Sequence, residues 1–186
     1  MTGSRSAYVC LGYSVREKAI KVLGVATGRW KQDLMGPELM AFVEAMRRLT
    51  GRIELTVIVE RAAGGFGIID RYSNLLHIDA VFPAGSKEER AGAVCYLVNQ
   101  GAVQLPEDAP WLKNFIAEVS GFPLSAMNDI PDALTHALKF ILSQNEFRPA
   151  DVQQTLLIAD PYQEIADGQH DGPSQAFRQF EGPEGW

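Results

Sequence analysis

The chain has 186 residues, 46% hydrophobic and 22% charged, enough apolar material for one globular domain with a real core. No apolar run reaches the roughly 20 residues of a membrane-spanning helix, and the opening MTGSRSAYVCLGY has no secretory apolar stretch, so a cytosolic protein is expected. The net charge of −6 is unevenly placed: residues 1–143 carry 15 Lys and Arg against 15 Asp and Glu, residues 144–186 carry 2 against 8, so the body is neutral and not barred from nucleic acid.

Ala7–Val15 and Ala19–Thr27 are rich in strand formers around a short charged break, which predicts an antiparallel hairpin. Gly36–Leu49 places Leu39, Phe42, Val43, Met46 and Leu49 at helical spacing behind Pro37. Ile53–Glu60 is an almost continuous apolar, β-branched run, the pattern of a strand buried on both faces. A glycine-rich turn, AAGGFG, starts a short helix through residues 71–75, and His77–Phe82 predicts another strand. Ser86–Gly101 has a Ser N-cap, Glu89 three residues on and a glycine stop, so it predicts one helix. The brief strand AVQL precedes a helix with Pro110 in its first turn and Trp111, Phe115, Ile116 and Val119 on its apolar side. A final helix opens at NDIPDALTHALKF and ends near Ser143. This order predicts an α/β fold, helices covering a mixed sheet, over residues 1–143. Residues 144–186 are expected to form an acidic, mobile or extended tail in which only TLLIA interrupts the polar texture.

Cys10 and Cys95 both have apolar neighbours and are expected to be buried small hydrophobes, and no Cys or His pair has zinc-site spacing. There is no phosphate-cradling GxxxxGK[ST] loop. Glu60 ends the apolar strand, a place where α/β sheets hold ligands, so it is either an ordinary strand exit or a metal-binding or catalytic carboxylate. Asp129 and Asp132 share a helix face, and both also satisfy helix-start grammar, with Asp129 as N-cap and Asp132 complementing the dipole. Lys87 and Arg90 open a helix where positive charge opposes the dipole; a solvated helix end and a phosphate contact are the two readings. His77 and His136 read as packing or surface histidines.

Taken in order, TGRW, VIVERAAGGFG, SKEERAGAVCYLVNQGAVQLPEDAPWLKNFIAEVSGFP and NDIPDALTHAL resemble the C-terminal nuclease domain of tailed-phage large terminases, over about Ala7–Leu142. The resemblance implies an RNase H-like fold and a metal-dependent endonuclease that cuts concatemeric phage DNA in the cytoplasm of the infected host. It implies a two-metal centre of Mg²⁺ or Mn²⁺ held by Glu60, Asp129 and Asp132, with Lys87 and Arg90 near DNA phosphate. Its implied partners are double-stranded phage DNA, the terminase ATPase region or small subunit, and the portal protein; no membrane is involved. The family opens its domain with a central strand bearing a further catalytic aspartate. Residues 1–16 contain no Asp or Glu, and Glu17 lies in the turn, so that first strand is expected to be missing. The alternatives are a catalytically impaired binding module of the packaging machinery and a different RNase H-like nuclease such as a junction resolvase.

Overall fold

The computed structural model describes residues 5–144 except 15, 18 and 63. The expected tail therefore lies outside the described residues, apart from Gln144. The hairpin forms as expected: β1 (Ser6–Ser14) runs antiparallel to β2 (Ala19–Gly28), Ser6 opposite Gly28 and Ser14 opposite Ala19. The register shifts between Cys10 and Leu11, leaving Leu23 as the extra residue of a bulge.

Helix α1 (Gln32–Thr50) starts a turn earlier than expected, which puts Pro37 in its second turn. Leu39, Val43 and Met46 form its buried stripe, and Gly51 closes it in the left-handed conformation with φ 66°. The next strand, β3 (Thr56–Glu60), lies parallel to β4 (His77–Val81), with α2 (Gly65–Tyr72) crossing between them. Burial on both faces is not what β3 shows: only Val59 is buried. Among the described residues β3 has a strand on one side only, so its other edge lacks the cover that a central strand receives.

The single helix expected over residues 86–101 is two short ones, α3 (Lys87–Gly92) and α4 (Cys95–Asn99), interrupted where Val94 leaves helical geometry at φ −126°. Ser86 and Glu89 make the expected reciprocal capping box, and Gly101 stops the segment at φ 71°. Cys95 is exposed, contrary to expectation, because the break turns it outward; Cys10 is partly buried, and burial pushes its thiol up to about 11. The short β5 (Val103–Gln104) pairs parallel with β2 at Ile20 and Lys21. Helices α5 (Leu112–Gly121) and α6 (Asp129–Ser143) complete the described chain. Phe115 is buried on α5, but Ile116, expected on the same apolar side, is 48% exposed. The inward place belongs instead to a carboxylate, Glu118.

The fold is thus α/β, with a mixed sheet, β1-β2-β5, and a parallel pair, β3-β4, flanked by helices. Two separate cores lie on the two faces. Ile20, Val22, Leu97, Phe115, Ile130 and Leu138 form one, to which Ala7, Val9 and Leu11 of β1 add. Leu39, Val43, Val59, Ile68 and Leu76 form the other, which Tyr8 of β1 reaches from the opposite face.

Candidate metal centre

Glu60 leaves β3 into a turn that its own carbonyl helps to build. That oxygen accepts from Ala62 N–H at 2.9 Å, and Gly65 N–H donates to Ala62 O at 2.9 Å. A side chain at residue 65 would run into the Glu60 carbonyl oxygen, so glycine there is required by close approach. Along β3, Val57 and Val59 join the α1 core, and strand alternation sends Glu60 to the other face, toward α6.

There it meets Asp132 and His136. One ligand atom from each of Glu60, Asp132 and His136 lies within 4.8 Å of the others. The last two are one turn apart on α6, so the helix aims both at the strand end. His136 Nε2 is 3.9 Å from Asp132 Oδ1 and is buried without a hydrogen-bond partner among the described residues. Burial lowers its pKa against the pull of Asp132 and Glu60, which favours the neutral imidazole that can ligate a metal. Two carboxylates and one imidazole make a donor set that suits Mn²⁺ and, through the oxygens, Mg²⁺. The orphaned nitrogen and this chemistry fit a divalent cation.

Asp132 is also held by cations. Arg90 Nη2 lies 2.7 Å from Oδ1 and Lys87 Nζ 3.1 Å from Oδ2. Burial pushes the Asp132 pKa up, but these two contacts outweigh it and keep the carboxyl below the usual carboxylate range. Arg90 is not at a solvated helix end: it is 6% exposed, and its Nη1 donates to the Gly85 carbonyl at 3.0 Å. Lys87 remains about half exposed, free to turn its ammonium outward.

Asp129 does something else. As the first residue of α6 it is not the N-cap, and Asn128, which holds that position, makes no side-chain cap. The cap comes from a distant element: Glu118 Oε1 accepts from Ile130 N–H at 2.9 Å. Arg5 then binds Glu118 through both nitrogens, at 2.9 and 2.8 Å, and Asp129 Oδ2 through Nη1 at 2.8 Å. The structure therefore brings Glu60 and Asp132 together and turns Asp129 to Arg5. Sequence reading missed three residues: Arg5, Glu118 and His136. The signal for His136 was its place four residues after Asp132; Arg5 and Glu118, 113 positions apart, gave none.

The centre opens at one end of a cavity of about 1020 Å³ lined by β1, β3, α1 and α6. Searches among protein-family models, curated proteins and solved structures found no match to this chain.

Proposed function

We propose that this protein is a metal-dependent endonuclease of RNase H-like type acting on double-stranded DNA, similar to the nuclease domain of phage large terminases. The observation that carries this reading is the convergence of Glu60, Asp132 and His136 at a strand end, all within 4.8 Å. Glu60, Asp132 and His136 would hold Mg²⁺ or Mn²⁺, while Asp129, in the ligand set implied by the resemblance, instead orders the helix that carries two of them. A bound divalent ion supplies an acidified water and offsets charge on a scissile phosphate. Lys87 can exchange its contact with Asp132 for a DNA phosphate, and Arg90, buried on both Gly85 and Asp132, fixes the carboxylate's orientation. The packaging ATPase, the small subunit and the portal are the partners this reading proposes, within the cytoplasm of an infected host. Among the described residues no helix is long and apolar enough to cross a membrane.

Nicking of supercoiled plasmid in millimolar Mn²⁺ tests the reading. Glu60→Ala, Asp132→Ala and His136→Ala should each lose at least about 100-fold in rate, with folding checked by circular dichroism. A parent that nicks no faster with Mn²⁺ than with EDTA overturns it. The double ion pairing of Asp132 favours a second reading, a binding module that does not cut. That module would gain no thermal stability from Mn²⁺, whereas a metal site raises it by mass action. Faster cutting of branched than of linear DNA would instead assign the site to a junction resolvase.

A further inference from the structure

The carboxyl ends of β3 and β4 carry two aromatic rings that belong to neither core. Phe82, the residue after β4, is 70% exposed, and Phe66, in the first turn of α2 just beyond the Glu60 turn, is 54% exposed. Apolar residues met singly on a surface are ordinary, but Phe82 is held in a definite arrangement. The Arg61 guanidinium carbon lies over its ring, 5.2 Å from the centroid. Arg61 is itself tied to the end of β4, its N–H donating to the Val81 carbonyl at 2.7 Å. Pro83 follows Phe82 and restricts its backbone to extended conformations. The ring is thus backed by a cation on one face and open to solvent over most of the rest.

Position ties this ring to the candidate metal centre. Val81 is the register partner of Glu60, so Phe82 lies one residue past the carboxylate that ends β3. Glu60, Asp132, His136 and Lys87 all line the cavity, whereas Arg61 and Phe82 stand outside its wall. A DNA strand crossing this sheet end meets two kinds of contact side by side. Inside the cavity are the candidate metal ligands and the Lys87 ammonium; outside it is an aromatic face. In a paired duplex the phosphates face outward and the bases are stacked within, so a phosphate held in the cavity keeps its own base away from Phe82. Both contacts can be made together only by a nucleotide whose base has left the stack.

We propose that Phe82, backed by Arg61, is a stacking platform for one unpaired nucleobase of a DNA strand whose phosphate enters the candidate metal centre. The specificity that follows is for DNA with an unstacked nucleotide at the site, over fully paired duplex. The proposal rests on the reading above for DNA as the ligand, though not for cutting. Every base has a π face, so the preference is one of structure and not of sequence. Arg61 adds cation–π attraction to the ring and holds its orientation.

Binding of short oligonucleotides to the full chain tests this, with Ca²⁺ in place of Mn²⁺ and again in EDTA, so that affinity is read without cutting. Two duplexes of one sequence are compared, one blunt and paired throughout, the other mismatched at its end. Each carries a fluorescent adenine analogue in that end segment. The parent should bind the mismatched end more tightly and quench its fluorescence by stacking. Phe82→Ala should weaken that binding about 5- to 150-fold, the loss of one base–aromatic stack, and leave the affinity for the blunt duplex unchanged. Because the ring is mostly exposed, this variant should melt with the parent. Phe82→Trp should restore both affinity and quenching, which a merely structural role for Phe82 would not require. Equal parent affinities for the two ends, a preference without quenching, or an equal loss for both in Phe82→Ala overturns the proposal. If that parent still nicks plasmid in Mn²⁺, the nuclease reading survives it. Binding of neither DNA overturns both. A parent that stacks the base but never nicks confirms the platform and gives the site to the non-cutting module.

Discussion

Glu118 is 5% exposed and spans two tasks, capping the α6 N-terminus through Ile130 and neutralising Arg5. Burial raises its pKa, and the hydrogen bonds from Arg5 and Ile130 more than reverse this, so the folded-state value lies below the ordinary 4.5. A depressed carboxylate contributes stability that is fully present above the unfolded pKa and is lost as pH falls through the folded one. Stability measured by urea unfolding should therefore fall as pH drops below about 4.5. Glu118→Gln should cost about 1–3 kcal/mol at neutral pH and flatten that acid limb. A loss at the small end is expected if Arg5 keeps Asp129 as its counter-ion; an unchanged acid limb would show that the group does not govern it. Asp129→Asn should behave as a stability variant of the same cluster, with metal binding retained, which a Mn²⁺ thermal shift checks.

At the level of elements, the turn after β3 and the start of α3 carry the site's geometry. Gly65→Ala forces a methyl toward the Glu60 carbonyl and must displace the strand end. Because catalytic geometry tolerates only a fraction of an ångström, this variant should weaken Mn²⁺ binding about 10-fold or more while α5 and α6 stay folded, as read by titration calorimetry and circular dichroism. Ser86→Ala removes one half of a reciprocal cap and should cost about 1 kcal/mol in thermal unfolding. The elements themselves were largely legible in sequence. Strand-former runs and helical spacing placed the hairpin, α1, β4 and α6, a glycine-rich turn announced α2 a few residues late, and the Ser–Glu pair announced its own cap. What was not legible came from outside each segment. One helix became two at Val94, and β3 looked central by composition although the described residues leave one of its edges bare. The apolar stripe of α5 gave its inward place to Glu118, because a charge 113 residues away was waiting for it.

For the whole molecule, the centre is a long-range construction: Glu60 comes from the end of β3, and Asp132 and His136 come from a helix more than seventy residues later. Strand-end position raised Glu60 from sequence, and the resemblance, not local helix-start grammar, set Asp129 and Asp132 beside it; that Asp129 pairs with Arg5 only the fold reveals. His136 read as a packing residue for the same reason, since it becomes a candidate ligand only once Glu60 is opposite. Chelation follows as a test at this scale: EDTA should reverse any Mn²⁺ stabilisation fully and leave the metal-free protein folded, because the two apolar cores do not depend on the ion.

Those two cores have a thermodynamic consequence. Within the described residues both cores share β1, whose alternate side chains serve the α6 side and the α1 side in turn, while α1 also packs on β2 and α6 on β3. Cooperativity requires that losing one core destabilise the other, and the shared hairpin with the α6–β3 contact supplies that coupling. Calorimetry should then show a single transition with matching van't Hoff and calorimetric enthalpies. The α1–α2–β3–β4 half would be the first to open. Glu60 and His136 belong to different halves, so the candidate metal centre would come apart at that first step.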